Sequence, residues 1–272
     1  MYSFCGVERL YIIIRKMEKK IEYTLKKIES DYGVKALYAC ETGSRAWGFP
    51  SPDSDYDVRI IYMHEPDWYL SLSERKDTIE MMLEGGELDI TGWDLRKSLR
   101  LLWKSNGAML ERIQSPIIYT ERDGYSASMR AAAEQCFSPI AAMFHYLGMA
   151  KNSFAEVESK PEVKLKKLFY SLRATLACKW ILEKGTTPPI VFTKMVDELS
   201  FDHSLKERIK GLIKLKSGVN ESYVHPVELE LNAFILSELM ASEMAAGNLC
   251  GRNEKASELD SLFVNMIKTY WV

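Results

Sequence analysis

The sequence has no excess of charge of either sign: 36 Lys and Arg stand against 38 Asp and Glu, a formal net charge of -2 over 272 residues. Without an overall basic field the chain as a whole is not drawn to nucleic acid or anionic lipid, so any such binding has to be local. Paired cysteines are missing too. Cys5, Cys40, Cys136, Cys178 and Cys250 are odd in number and lack the short spacings of zinc sites and disulfide frameworks, which fits a reducing cytoplasm. Long apolar runs are scarce: "LYIII" at residues 10–14 is far too short to span a bilayer, and its basic residues Arg15 and Lys16 follow it. It is expected to be neither signal peptide nor membrane anchor. The four histidines, His64, His145, His203 and His225, show no metal-ligand spacing and no neighbouring nucleophile, so they read as structural or exposed and zinc and hydrolase chemistry fall away. Repeats and low-complexity tracts are absent.

What is present is an apolar content of 47%, enough for a substantial core. Ile21, Leu25 and Ile28 recur at helical spacing between Glu18 and Ser30, with Gly33 as a stop, so "MEKKIEYTLKKIESDYG" reads as a complete first helix and residues 1–16 as an N-terminal extension. "KALYAC" predicts a strand, "ETGSRAWGFPSPDSD" a loop, "YDVRIIYM" a second strand and "GGELDITGW" a third after a Gly-Gly turn. Asp94 can cap a helix through "LRKSLRLLWKS", followed by a helix at "AMLERIQ" and the strand-like "IIYT". From about Met129 to Trp271 nearly every segment has helical periodicity. The expectation is therefore an α+β protein, with a mixed sheet and helices over residues 17–123 and an all-helical domain over residues 124–272.

The chemistry concentrates in the loop before the second strand. Residues two apart on a strand face the same way, so Asp55 and Asp57 project together at the strand entrance. Two nearby anions repel unless a cation neutralises them, and Mg2+ characteristically takes one or two carboxylates together with water and substrate phosphates. Gly43 permits a tight turn, Ser44 offers a hydroxyl and an amide to phosphate oxygens, and Arg45 adds a charge. Pro, Ser and Asp are equally ordinary turn formers, and Asp53 reads as a turn residue.

Gly43-Ser44, ten intervening residues and Asp55-Tyr56-Asp57-Val58 resemble the signature of the DNA polymerase β superfamily of nucleotidyltransferases. More narrowly, "TGSRAWGFPSPDSDYDVR", "LDITGWDLRKSLRLLWKSNGAMLERIQSPIIY" and "KLKKLFYSLRATLACKWI" resemble the branch associated with RNA ligases and RNA repair, over about residues 33–185. The resemblance implies transfer of a nucleoside monophosphate from an NTP to an acceptor hydroxyl, an RNA 3' end, with release of pyrophosphate. It implies two Mg2+ ions, replaceable by Mn2+, held by Asp55 and Asp57 with a third carboxylate from a neighbouring strand. Asp89, inside the apolar pattern between Leu88 and Ile90, is chosen over Glu87 near the turn and Asp94 at a helix start. Lys166, Tyr170 and Arg173 share one helical face and either reach the nucleotide or form a solvated stripe. Trp47 and Phe49 either stack on a base or anchor the loop, and Asn106 either lies near nucleotide or breaks a helix. Alternatives with the same fold modify a protein or small-molecule hydroxyl, or only bind nucleotide or RNA; a helical interaction protein is a further one.

Overall fold

The computed structural model describes residues 4–122, 124–251 and 257–271. The first three residues of the expected extension and the boundary position Asp123 lie outside the described residues. In chain order the elements are α1 (Phe4–Tyr32), β1 (Lys35–Glu41), α2 (Gly43–Trp47), β2 (Tyr56–Met63), α3 (Pro66–Tyr69), β3 (Thr78–Leu83), β4 (Leu88–Asp94), α4 (Leu95–Trp103), α5 (Gly107–Arg112) and β5 (Ile118–Glu121). They continue as α6 (Tyr125–Cys136), α7 (Pro139–Ala155), β6 (Glu162–Lys164), α8 (Leu165–Lys184), α9 (Phe192–Glu198), α10 (His203–Lys216), β7 (Val224–Pro226), α11 (Leu229–Ala246) and α12 (Ser257–Tyr270). The architecture is α+β, a mixed sheet with helices followed by a mainly helical region.

The five-stranded sheet runs in the order β3-β4-β2-β1-β5, with β2 and β4 parallel and the other neighbours antiparallel. One face buries Val58, Ile60, Leu88 and Ile90 under Ile21, Leu25 and Ile28 of α1. The alternate residues Leu37, Ile61 and Met63 meet α4, α5, α6 and α12 on the other face, as the two-residue period of strands requires. A second core joins α7–α11. Because α6 and α12 pack on the sheet, the packing boundary does not coincide with the division at residues 123 and 124 read from the sequence. Lys35 on β1 reinforces the return of the C-terminus, donating to the carbonyls of Tyr270 and Trp271.

Three features differ from expectation. α1 runs unbroken from Phe4, through the segment set apart as an extension. β3 is an added edge strand whose weak alternation, with Ile79 buried and Met82 exposed, hides it from a pattern search. The helical region also contains the short antiparallel pair β6 and β7. Among the described residues, no helix is long and apolar enough to cross a membrane.

Candidate active site

Parallel pairing of β2 and β4 sets the centre of the site. Asp57 and Asp89 are register partners, so their side chains emerge on the same side of adjacent strands. The cation between them is Arg59, two residues along β2 and therefore on the same face. Its Nη2 donates to Asp57 Oδ1 at 2.9 Å and to Asp89 Oδ2 at 2.8 Å, while Nη1 donates to the carbonyls of Asp89 and Val58 at 3.1 and 3.2 Å. Burial raises the Asp57 carboxyl above its usual range; Arg59 opposes this, and the charges of Asp89 and Asp55 add to it.

A second carboxylate supports Asp57 from below. Glu41, at the end of β1, is fully buried; its Oε1 accepts the Asp57 amide at 2.7 Å and its Oε2 the Tyr119 hydroxyl. Burial pushes Glu41 up to about 7, against the lowering effect of those two donors. The Asp57 carbonyl in turn accepts the amide and hydroxyl of Thr42, at 2.9 and 3.1 Å. Sequence reading missed both Glu41 and Arg59, although each adjoins the motif.

The Gly43-Ser44 turn is fitted to Asp57. Gly43 has φ +62, and a Cβ there would stand 2.2 Å from Asp57 Oδ2, so only glycine combines that backbone with that proximity. Ser44 is the second residue of α2, and its hydroxyl donates to Ser54 Oγ at 3.1 Å. Arg45 is committed within the loop: it donates to the carbonyls of Asp55 and Ser54 at 3.0 and 2.6 Å and lies 3.8 Å over the Tyr56 ring. It therefore staples the loop through Nε and Nη2. Trp47 and Phe49 anchor the loop in the helical core, where Phe49 stacks on Phe169 at 4.7 Å.

Two cavities flank Asp57 and Tyr170. The smaller, about 150 Å³, is lined by Ser44, Ser54, Asp55, Lys166, Lys216 and Glu221 as well as those two residues. The larger, about 300 Å³, adds Trp47, Arg59, Glu111, Arg112, His145 and Met149. Burial lowers the His145 imidazole, keeping it neutral at pH 7. Of the predicted helical face, Lys166 and Tyr170 reach the smaller cavity, whereas Arg173 is buried; its Nη1 donates to Glu111 Oε1 at 2.9 Å and its guanidinium lies 4.3 Å over Trp47. That is a correction to the open face read from spacing: α8 enters the core between Tyr170 and Arg173. Asn106 caps α5 through the Met109 amide, and Asp94 caps α4 through the Arg96 amide, so both serve helix ends.

The donor set suits a hard divalent cation. Asp57 and Asp89 converge on one guanidinium nitrogen, with Asp55 at the strand entrance, and carboxylate oxygens are the ligands Mg2+ prefers. Among the described residues, no three His, Cys, Asp or Glu side chains are gathered as a ready metal cage. Mg2+ sites that complete their coordination with water and substrate phosphates do not need one.

Residues 17–265 match the family described as RlaP, the RNA repair pathway DNA polymerase beta family. The chain belongs to this family. Its membership makes it a nucleotidyltransferase of the polymerase β type. The uncharacterized protein YcgL of Bacillus subtilis (strain 168) is 41% identical over 256 residues, spanning 94% of this chain and 98% of that protein. A nucleotidyltransferase-like protein of known structure from Exiguobacterium sibiricum 255-15 covers 84% of this chain and 77% of its own, at 15% identity and a TM-score of 0.30. A likeness of that strength carries nothing about the site.

Proposed function

We propose that this RlaP-family chain transfers a nucleoside monophosphate from an NTP to a hydroxyl at an RNA 3' end and releases pyrophosphate. The carrying observation is the in-register pair Asp57 and Asp89 beside a glycine whose missing Cβ admits the Asp57 carboxylate. In this reading the triphosphate enters the smaller cavity, where Ser44 and Lys166 offer donors, and the acceptor end enters the larger one beneath Trp47 and Tyr170. A new bond forms from the acceptor oxygen to the α-phosphorus as the bond to the pyrophosphate bridging oxygen breaks, and Asp89 takes the hydroxyl proton. Asp55, Asp57 and Asp89 would hold Mg2+, or Mn2+ in its place. Such ions supply neutralisation of the phosphates and a lowered pKa for the hydroxyl.

Support for an acceptor bearing phosphate comes from Arg112. It lines the larger cavity, is 4% exposed, stacks 3.2 Å over Trp93, and its Nη1 has no hydrogen-bond partner. A positive charge in the wall of this cavity favours an acceptor that brings a phosphodiester next to its hydroxyl.

The test incubates each α-labelled NTP with Mg2+ or Mn2+, total RNA and total protein, comparing wild type with Asp55→Asn/Asp57→Asn. Label in RNA that falls on the order of 10³-fold in the variant is expected, since preorganised charge dominates such catalysis. Label in protein would move the acceptor to a protein hydroxyl. No label above the variant with any NTP would sink the transfer reading.

A further inference from the structure

The smaller cavity holds an anion of its own. Lys216, the last residue of α10, is 2% exposed, and its ammonium donates to Ser51 Oγ at 2.8 Å and to Glu221 Oε1 at 3.0 Å. Ser54 Oγ donates to the same Oε1 at 2.6 Å, and Lys166 Nζ stands 3.3 Å from Oε2. Behind them, the Ser44 hydroxyl and the Ser51 amide donate to Ser54 Oγ at 3.1 and 2.9 Å and fix its orientation. One carboxylate thus receives two ammonium groups and a hydroxyl, a donor set that suits a phosphate oxygen equally well.

The charges do not balance. Lys166 and Lys216 carry two positive charges against the single negative charge of Glu221, and the cavity leads directly to Asp55 and Asp57. With Glu221 in place, an arriving polyphosphate meets three carboxylates and two lysines already paired; with it swung away, it meets Asp55 and Asp57 and two ammonium groups released from that carboxylate. Glu221 is able to leave alone. It lies in the turn between α10 and β7, where its amide is tied to Asp53 Oδ1 at 2.9 Å, so the backbone stays anchored while the side chain rotates. Its rivals are rigid: Ser51 and Ser54 belong to the aromatic-anchored loop, and Lys216 ends a helix. Burial would raise the Glu221 carboxyl, but Ser54 and Lys216 hold it down to about 2, so it is an anion at every working pH.

We propose that Ser54, Lys166 and Lys216 form the subsite for a terminal phosphate of a polyphosphate ligand, and that Glu221 occupies it as an internal surrogate which the ligand displaces. The identity of that ligand as an NTP rests on the transfer reading above; the displacement does not. Glu221 therefore restrains binding while holding the empty subsite together. A merely structural Glu221, positioning the two lysines for the ligand, has the opposite consequence when it is removed.

The experiment is calorimetric titration of inorganic tripolyphosphate with Mg2+ into wild type, Glu221→Gln and Lys216→Met. Glu221→Gln is nearly isosteric and keeps an oxygen for Ser54. Removal of the competing charge is expected to tighten binding roughly tenfold, the factor that corresponds to about 1.4 kcal/mol. Lys216→Met is expected to weaken binding by a similar factor, and Lys166→Met, at a 41% exposed side chain, provides the same reading if the buried substitution does not fold. Unchanged or weaker binding by Glu221→Gln would overturn displacement, as would failure of wild type and variant alike to bind tripolyphosphate. Tightened binding in a protein that transfers no nucleotide would uphold this inference and sink the transfer reading instead.

Discussion

The carboxylates on the sheet and the lysines on the helices are neutralised in different ways. Arg59 sits between Asp57 and Asp89 on a paired strand, with its guanidinium also tied to two backbone carbonyls. Glu221 sits between Lys166 and Lys216 on a turn, held to the lysines and to Ser54 through its carboxylate alone. Each is a counter-ion of the sign that a metal-polyphosphate ligand would bring. The difference in anchoring teaches that ligand charge must be added beside Arg59, whereas it can replace Glu221. Arg173 and Glu111 form a third pair, more buried than either, which also accepts from Trp47 Nε1 and joins α8 to α5. Although Glu111 also lines the larger cavity, the pair is fixed on both sides and serves as the reference.

Breaking that reference pair has the largest expected effect on stability. Arg173→Met leaves Glu111 buried with one charge unmatched, and removing one partner of a buried pair costs about 3–5 kcal/mol. Urea unfolding measures it. A loss well under 1 kcal/mol would mean that Arg173 is free for ligand after all, and the division into fixed and displaceable pairs would fail. Arg59→Met is expected to cost less, about 1–3 kcal/mol without metal, because its carboxylates are partly solvated. In the presence of Mn2+ the sign turns: the two carboxylates without their internal cation gain more from the ion, so the Mn2+-induced rise in Tm is larger in Arg59→Met than in wild type. A smaller rise would show that Arg59 shapes the carboxylates for metal and does not compete with it.

Local features of this fold were legible in the sequence, and relations across the chain were not. β2 was read at both ends because an apolar run of strand formers follows a Pro-Ser-Asp turn. Asp89 stood out as a polar residue between Leu88 and Ile90, and its placement opposite Asp57 follows once β2 and β4 pair in parallel. Lys216 and Glu221 carried no such signal. Glu221 meets Ser54 across 167 residues of chain, and no periodicity announces such a meeting. Arg173 was misjudged for a related reason: helical spacing fixes which face a residue shares, but not how far along the axis that face goes under cover. Arg59 was hidden differently, since an arginine in a strand between apolar residues has two sides to choose from, and only the neighbouring carboxylates decide it.

Glu41 offers the last test, and it asks how rigid the sheet side is. Its carboxyl is pushed up to about 7 in the folded protein by burial, from an ordinary value of 4.5. The folded state thus retains a proton that the unfolded state releases in between. The contribution to stability is fully present below about 4.5 and lost as pH rises through about 7. Glu41→Gln has no such proton to lose. Between pH 5 and pH 8 the melting temperature of the variant should therefore gain on that of wild type by roughly 5–10 °C, the shift expected for about 2–3 kcal/mol of linked protonation in a chain of this size. Parallel pH profiles would mean that the Tyr119 hydroxyl and the Asp57 amide keep Glu41 ionised throughout. Asp57 would then rest on a permanent buried anion, and Arg59 would be neutralising three carboxylates rather than two.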